Sequence, residues 1–435
     1  MASSQTTLQI ALDRLTKLHP KLIDLGLERT LALSEKCGSP HQHLPPVIHI
    51  AGTNGKGSVS AFLASLYQAA GLRAHLYNSP HLCRFNERIR LAGQLISDAE
   101  LVAILREVEQ INNGAPVTFF ESTTIAAFLA FSRHPADILI LETGLGGKFD
   151  STNILEGKAV SVLTPIARDH EHFLGSDITQ IAVQKAGIMR LNTPSIWARQ
   201  SPEARKGLAD TAQKLGGEIL EEGVDFSAEP RTDASFDFIW HGQPIKMPAP
   251  SLIGAHQYQN AALALAAMKI ASPQAFSAPA FQGIATAKWP GRIQELQVGT
   301  LKDRLGSGRR VWLDGAHNAH GAAALVTTLQ ALSPQKWMVI FGALDTRPAE
   351  AFLSQIQPIA AHIHTLTIAD QPAAIEAEIL AQTARDLNIP AQPVASPDAA
   401  LQAIEAMSPP EMPVIICGSL YLAGQILAQN DTLPD

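Results

Sequence analysis

The stretch His49-Ile50-Ala51-Gly52-Thr53-Asn54-Gly55-Lys56-Gly57-Ser58 decides the fold class of this chain. It begins in a β-rich run, Val47 to Ala51, and continues into apolar residues at helical spacing that end at Gly71. A strand that passes through glycines into a helix predicts a loop whose backbone N–H groups bind phosphate. Lys56 would reach the β- and γ-phosphates of a nucleotide, and Ser58 would face its Mg²⁺.

This loop departs from the common phosphate-loop pattern, in which a Gly-Lys pair is followed directly by Ser or Thr. Here Gly57 intervenes, and Ile50 stands where the first glycine would be. The alternative is a glycine-rich turn without a ligand, but such a turn has no need of a lysine. We therefore predict Lys56 as a catalytic residue and as one of five ATP-binding residues in this loop: Asn54, Gly55, Lys56, Gly57 and Ser58.

The alternation of strand, polar loop and helix repeats along the chain and predicts an α/β fold with mostly parallel sheets. Ligands bind beyond the carboxyl ends of the strands in such sheets, and the polar motifs lie at these ends. The pattern restarts after Trp289-Pro290-Gly291-Arg292, which predicts an ATP-binding domain over 1–290 and a smaller Rossmann-like domain over 291–435. Further strands are predicted at 73–77, 137–142, 159–163, 311–313, 337–344, 362–368 and 414–417.

Bulk properties exclude several classes of protein. The chain has 435 residues and a formal net charge of −7, which argues against a surface that coats nucleic acid. Three separated cysteines argue against a disulfide framework and a zinc cluster, and they fit a reducing compartment. Residues 1–21 lack the apolar core of a signal peptide, and no run of about 18 apolar residues predicts a membrane span. We expect a monomeric cytoplasmic protein that binds small molecules.

Several motifs in fixed order resemble the Mur-ligase superfamily, and most closely its folate branch, the bifunctional dihydrofolate synthase/folylpolyglutamate synthase family. The resemblance spans residues 22 to 424 and implies a Mur-ligase-like fold. It also implies ATP-dependent ligation of L-glutamate to dihydropteroate and to the γ-carboxylate of folates such as tetrahydrofolate, through an acyl phosphate. The matching segments besides the loop are Asp24–Arg29, Asn78–Leu82, Thr118–Glu121, Gly146–Asn153, His256–Asn260, Trp289–Arg292 and Asp314–Asn318.

The resemblance implies a site for two Mg²⁺ ions beside the ATP. It assigns Ser79 and Glu142 to one ion and His170 to the second, and oxygen ligands suit Mg²⁺. Lys185 matches a lysine that is carbamylated in the family, and burial near cations would lower its pKa enough for the neutral amine to capture CO₂. The alternative for Glu142 and His170 is a capping residue or another polar residue with satisfied hydrogen bonds, and the alternative for Lys185 is a surface lysine on an amphipathic helix.

The remaining candidate residues would bind the acceptor or the nucleotide. The resemblance assigns Asn260, Arg292 and Asp314 to ATP. It places His317 near the phosphates or the glutamate as a catalytic candidate. An ordinary helix start remains an alternative for Asp24–Arg29, and a position in the hydrophobic core remains an alternative for Phe119 and Phe120. The dihydropteroate candidates are Asp24, Leu25, Gly26, Leu27, Thr118, Phe119, Phe120, Phe149, Asp150 and Ser151.

Two rival functions remain from the sequence. A cell-wall Mur ligase that extends a UDP-muramyl peptide shares the loop and the mechanism, although the Asp24–Arg29 segment favours the folate branch. A switch or motor NTPase is the rival from another class, and the Asp314–Asn318 motif argues against it. Since the phosphate loop and Asp314 fall in different predicted domains, domain closure is expected to complete the site.

Overall fold

The computed structural model describes residues 6–19, 21, 24–304 and 308–434. The chain divides by packing into two compact units, which do not follow the sequence in two simple halves. The predicted functional domains 1–290 and 291–435 stay a prediction. The first unit comprises Met1–Pro80, Asn86–Ser251 and Tyr258–Lys288, and the second comprises His81–Phe85, Leu252–Gln257 and Trp289–Asp435.

Strands in the described residues form three sheets, two in the first unit and one in the second. In chain order they are β1 (Val47–Ala51), β2 (Ala74–Tyr77), β3 (Ile89–Leu91), β4 (Gln94–Leu95), β5 (Ile138–Glu142), β6 (Val160–Leu163), β7 (Ser195–Trp197), β8 (Ile219–Glu221), β9 (Phe226–Pro230), β10 (Phe236–Trp240), β11 (Gln243–Met247), β12 (Gln294–Glu295), β13 (Val311–Leu313), β14 (Trp337–Phe341), β15 (Ala360–Thr365), β16 (Ala391–Pro393) and β17 (Val414–Cys417).

Helices connect most of these strands. Within the described ranges no helix has the length and apolar character needed to cross a membrane. They are α1 (Thr7–Thr16), α2 (Glu28–Lys36), α3 (Lys56–Ala69), α4 (Asp98–Asn112), α5 (Phe119–Arg133), α6 (Glu171–Leu174), α7 (Ile178–Ala186), α8 (Pro202–Leu215), α9 (Ala255–Ala271), α10 (Ala278–Phe281), α11 (Thr300–Arg304), α12 (Ala319–Leu332), α13 (Ala349–Ile356), α14 (Ala377–Asp386), α15 (Pro397–Met407) and α16 (Leu420–Gln429).

The large sheet of the first unit has the strand order β4-β3-β2-β5-β1-β6-β7-β8. Strands β2, β5, β1, β6, β7 and β8 are parallel. At one edge of the sheet β3 pairs antiparallel with β2, and β4 pairs antiparallel with β3. Every residue of β1 and β5 is buried, as expected for interior strands of a parallel sheet. The parallel arrangement brings the carboxyl ends of β2, β5, β1 and β6 to one edge of the sheet.

The sheet of the second unit has the order β12-β13-β17-β14-β15-β16, and it is parallel apart from β12. Alternate side chains enter two buried clusters, with Val339 and Ile415 in one and Ile340 and Ile416 in the other. The parallel α/β architecture predicted from the sequence is confirmed.

Strand positions were predicted well where an apolar run is short and bounded by polar residues. Strands β1, β13 and β17 have the predicted bounds, and β2, β5 and β6 each begin one residue later than predicted. Strand β14 ends at Phe341, three residues early, and β15 covers Ala360–Thr365 instead of 362–368. The antiparallel β9–β11 sheet was not predicted, because its strands have no polar ligand-type loop at their ends.

Helices α7 and α8 pack closely against each other and against the large sheet. Their shared buried cluster includes Leu208 of α8 and Leu163 at the end of β6. Gly207 in α8 permits the close approach, since an added Cβ would overlap the carbonyl oxygen of Thr179. This packing fixes α7, which carries Lys185 in its last turn.

Replacing Gly207 with alanine is expected to destabilise the protein. Helix propensity alone would favour alanine by about 1 kcal/mol. The overlap with α7 should outweigh that gain and lower the free energy of unfolding by about 1–3 kcal/mol. Chemical denaturation measures the change, and Lys206→Ala at the exposed preceding position is the matched control. A Gly207→Ala variant as stable as the control would contradict this account of the α7–α8 packing.

Candidate active site

The glycine-rich loop turns the chain from β1 into α3. Gly52 has a φ of +151° and Gly55 a φ of +90°, values that side chains disfavour. A Cβ at Gly52 would overlap the Thr164 hydroxyl, and one at Gly55 would lie 2.7 Å from Asn260 Oδ1. The loop therefore lies against the segment after β6 and against α9, and Lys56 begins α3. Of the predicted loop residues, Gly57 and Ser58 are buried and Asn54 is half-buried.

Residues after β6 hold the loop in place. The backbone N–H groups of Thr53 and Asn54 donate to the carbonyl oxygen of Pro165 at 3.0 and 3.3 Å. The Thr53 hydroxyl donates to the Ala167 carbonyl oxygen at 3.0 Å and accepts from the Ala167 N–H at 3.1 Å. The sequence prediction did not include Thr53, Pro165 or Ala167. Their signal was the position of Thr164-Pro165 directly after a strand that neighbours β1.

Two lysine side chains converge on the Gly52 carbonyl oxygen. Lys56 Nζ donates to it at 3.3 Å and to the Thr53 carbonyl oxygen at 3.3 Å. Lys185 Nζ donates to the same Gly52 oxygen at 2.9 Å, and this lysine is only 4% exposed. The alternative of a surface lysine at position 185 is therefore wrong. Glu142 Oε1 lies 3.9 Å from Lys56 Nζ.

The pKa of Lys185 is lowered from 10.5 to about 7. Burial is the main cause, because desolvation disfavours the ammonium form, and the charge of Lys56 acts in the same direction. Asp169 and Asp150 oppose the shift without cancelling it. A lysine with this pKa exchanges its proton near neutral pH.

The predicted metal-binding residues follow neighbouring parallel strands. Ser79 lies just beyond β2, Glu142 is the last residue of β5, and His170 precedes α6 in the segment after β6. The His170 N–H donates to Asp169 Oδ1 at 2.8 Å. Among the residues that the structure describes, no three His, Cys, Asp or Glu side chains form a metal cage. The Ser79 hydroxyl and the Glu142 carboxylate are oxygen donors of the kind that Mg²⁺ takes together with nucleotide phosphates and water, so this donor set fits such a cation.

The predicted acceptor residues Phe149, Asp150 and Ser151 lie in the loop after β5. Phe149 is 38% exposed, and the Lys148 ammonium group lies 5.0 Å from its ring centroid. Asp150 is buried, and its carboxylate accepts from the Leu145 N–H at 2.7 Å and from the Thr152 N–H at 3.0 Å. Burial raises the pKa of Asp150, while these hydrogen bonds oppose the shift. Asp150 therefore organises the loop, and Ser151 beside it is buried.

Three polar side chains that the sequence prediction missed fasten this loop to the end of α7. Asn153 Nδ2 donates to the Gly187 carbonyl oxygen at 2.9 Å. Arg190 donates to both oxygens of Asn153 at 2.8 Å. Lys158 Nζ donates to Asn153 Oδ1 at 2.9 Å and to the Ile188 carbonyl oxygen at 2.8 Å. The loop after β5 and the helix that carries Lys185 therefore hold each other in position.

The other predicted acceptor residues form two segments of the first unit. Leu25 is 39% exposed, Asp24, Gly26 and Leu27 are half-buried, and α2 begins directly afterwards. Thr118 is the N-cap of α5 and forms a capping box with Glu121. Phe119 and Phe120 occupy the first turn of α5, where both are half-buried and neither is a fully buried core residue.

The second unit places Asp314, Arg292 and His317 at the carboxyl end of β13. Asp314 is buried, and its carboxylate accepts from the Ile293 N–H at 2.8 Å and the Ala316 N–H at 2.7 Å. Burial raises the pKa of Asp314, and the Arg292 charge opposes that shift. His317 Nδ1 lies 2.8 Å from the Gly315 carbonyl oxygen. Because a carbonyl only accepts, Nδ1 carries the proton and the lone pair of a neutral ring is on Nε2.

Comparisons with known proteins point to one group of enzymes. A family model described as "Mur ligase, glutamate ligase domain" matches residues 299–420. A dihydrofolate synthase/folylpolyglutamate synthase of Bacillus subtilis is 34% identical over 418 residues, which cover 92% of this chain and 94% of that protein. The structure of E. coli FolC in complex with DHPP and ADP is similar with a TM-score of 0.88 at 31% identity, covering 99% of both chains. A bifunctional folylpolyglutamate synthase/dihydrofolate synthase with Mn, AMPPNP and L-glutamate bound has a TM-score of 0.85 at 29% identity, covering 97% of this chain and 98% of that one.

The lowered pKa of Lys185 predicts a pH-dependent stability. Between pH 7 and 10.5 the unfolded chain keeps a proton on this lysine that the folded chain has released, so raising the pH stabilises the folded state. Relative to Lys185→Met, wild-type stability should rise with pH by up to about 1.4 kcal/mol per unit in this window. Denaturation of CO₂-free protein at several pH values between 7 and 9.5 measures the difference. Lys214→Met, at an exposed position of α8, should leave the pH profile unchanged, and parallel profiles for wild type and Lys185→Met would rule out the shift.

Proposed function

The chain belongs to the dihydrofolate synthase/folylpolyglutamate synthase family and is a ligase, and from that premise we propose that it joins L-glutamate to dihydropteroate and to the γ-carboxylate of folates such as tetrahydrofolate. ATP is the co-substrate, and the reaction proceeds through an acyl phosphate. The observation that carries this proposal is the pair of lysines at the Gly52 carbonyl, with Glu142 3.9 Å from Lys56, at the carboxyl edge of a parallel sheet.

In the first step the acceptor carboxylate attacks the γ-phosphorus of ATP, and ADP leaves. In the second step the uncharged amine of glutamate attacks the acyl carbon, an amide bond forms, and inorganic phosphate leaves with one former carboxylate oxygen. Phosphoryl transfer of this kind depends mainly on positioning and charge neutralisation. Lys56 at the N-terminus of α3 supplies charge next to the phosphates, and the loop residues Asn54, Gly55, Gly57 and Ser58 supply donors.

We propose that Ser79 and Glu142 hold one divalent cation and that His170 holds a second, both together with the nucleotide phosphates. Such a cation would neutralise phosphate charge. Lys185 would join this set as a carbamate: its neutral amine bonds to the carbon of CO₂ and a proton is released. The pKa of about 7 supports this step, since an appreciable fraction of the amine is neutral at physiological pH.

For the remaining residues we propose nucleotide contacts at Asn260, Arg292 and Asp314. His317 would accept a proton from the glutamate ammonium group at Nε2, because its Nδ1 is committed to the Gly315 carbonyl. The acceptor would contact the residues predicted for dihydropteroate between Asp24 and Leu27, Thr118 and Phe120, and Phe149 and Ser151. We propose a monomeric cytoplasmic enzyme, in line with the separated cysteines and the net charge of −7.

Lys56→Ala should abolish the formation of ADP that depends on dihydropteroate and glutamate. Loss of the charge at the phosphates is expected to lower kcat by about a thousandfold. A coupled assay for ADP measures the rate, and Lys214→Ala should retain it. Full turnover by the Lys56→Ala variant would refute the role given to this lysine.

A panel of acceptors tests the reaction itself. Dihydropteroate, tetrahydrofolate and a UDP-muramyl peptide are each incubated with ATP and labelled glutamate, and product is measured by mass spectrometry. The first two should incorporate glutamate and the third should not. With ¹⁸O in the dihydropteroate carboxylate, one labelled oxygen should appear in the released phosphate. Incorporation only into the muramyl acceptor would overturn the assignment to folates, and unlabelled phosphate would exclude the acyl phosphate.

A further inference from the structure

Arg29 links two segments of the first unit that are far apart along the chain. Its Nε donates to both carboxylate oxygens of Glu121, at 3.1 and 3.2 Å, and its Nη2 lies 2.9 Å from Oε1 of the same carboxylate. On the other side, Nη1 lies 2.9 Å from Asp24 Oδ2, and Nη2 donates to the Asp24 carbonyl oxygen at 2.7 Å. One planar cation therefore connects Asp24 with the first turn of α5.

The Glu121 end of this link is rigid. Glu121 is 2% exposed, and its carboxylate also accepts from the Thr118 N–H at 2.7 Å within the capping box. Its position is thus determined by α5 itself, one residue beyond Phe120. A buried carboxylate is costly without a cation, so removing the Arg29 guanidinium would leave the Glu121 charge uncompensated.

The Asp24 end has weaker support from elsewhere. The segment 24–26 forms no helix or strand, and Leu25 is 39% exposed. Besides Arg29, two side chains approach the Asp24 carboxylate: Lys21 Nζ lies 3.4 Å away on a side chain that is 68% exposed, and His19 Nε2 lies 3.7 Å away. The bonds from Arg29 are shorter and engage both the side chain and the backbone of Asp24, so Arg29 is the principal constraint on this segment among the residues that the structure describes.

We propose that Arg29 is a positioning residue for the acceptor substrate, which fixes Asp24–Leu27 relative to Thr118–Phe120 so that the two segments form one surface for the pteridine end of the acceptor. The inference rests on the proposed function, because both segments are candidate acceptor contacts. It adds a residue that touches neither ATP nor the reacting carboxylate and acts only through its neighbours.

The fork shape of the guanidinium is essential to this role. It presents N–H donors in two directions within one plane, and Arg29 uses them for two carboxylates and a carbonyl at once. A lysine keeps the charge but offers a single ammonium centre, so it can satisfy one carboxylate only in part. The phosphate loop and the lysines at Gly52 make none of these contacts, and ATP binding should therefore be insensitive to a change at position 29.

The test compares Arg29→Gln and Arg29→Lys with a matched control on α5, the helix that carries Glu121. Arg133, the last residue of α5, forms a two-bond ion pair with Glu107 at 2.8 and 2.6 Å, so Arg133→Gln breaks a similar contact away from the acceptor segments. Steady-state kinetics are measured with dihydropteroate, ATP and glutamate varied in turn. Arg29→Gln should raise the KM for dihydropteroate about tenfold, Arg29→Lys should raise it less, and the KM for ATP should change less than about twofold in every variant.

Each further outcome has a defined meaning. If Arg29→Gln folds poorly, Arg29→Gln/Glu121→Gln removes the unpaired carboxylate and keeps a glutamine that suits the capping box, and it should still show the raised KM. Kinetics of Arg29→Gln equal to those of Arg133→Gln, or an equal rise of the KM for ATP and dihydropteroate, would overturn the positioning role. A wild-type protein that forms no product from dihydropteroate would instead overturn the proposed function, and this inference with it.

Discussion

The carbonyl oxygen of Gly52 accepts hydrogen bonds from two lysine side chains, and the chemistry proposed for the first unit depends on that shared contact. Two ammonium groups at one oxygen repel each other, and the more buried of them, Lys185, has the lowered pKa. Lys56 retains Glu142 as a counter-ion at 3.9 Å. The cluster therefore combines a cation that suits phosphate with an amine that loses its proton near neutral pH.

The backbone makes this arrangement possible only if position 52 is glycine. Gly52 has a φ of +151°, and the segment after β6 approaches it so closely that any Cβ would overlap Thr164. That requirement is visible in the sequence, because an interior parallel strand is a continuous apolar run and the glycines follow it directly. The same physics explains why β1, β5 and β6 were predicted nearly to the residue, and the motifs between them predicted the family membership that is now confirmed.

Other parts of the site have no local signal in the sequence. The bonds between Thr53 and Ala167 join residues 114 positions apart, and those between Arg190 and Asn153 join residues 37 positions apart. Such contacts arise from the tertiary fold, so spacing and periodicity do not predict them. The burial of Lys185 is a similar case, since helical periodicity alone was equally consistent with an exposed face of α7. The predicted binding roles of individual residues stay predictions.

Lys158 shows why a lowered pKa does not identify a functional lysine by itself. Burial lowers its pKa well below the usual value, as it does for Lys185. Lys158, however, donates to Asn153 Oδ1 and to the Ile188 carbonyl oxygen, where it joins the loop after β5 to the end of α7. Lys185 instead reaches the Gly52 carbonyl oxygen just beyond the carboxyl end of β1, where the side chain of Lys56 donates as well. Because ligands of parallel α/β sheets bind at that edge, position and not burial distinguishes the lysine proposed to bind metal as a carbamate from the one that stabilises the fold.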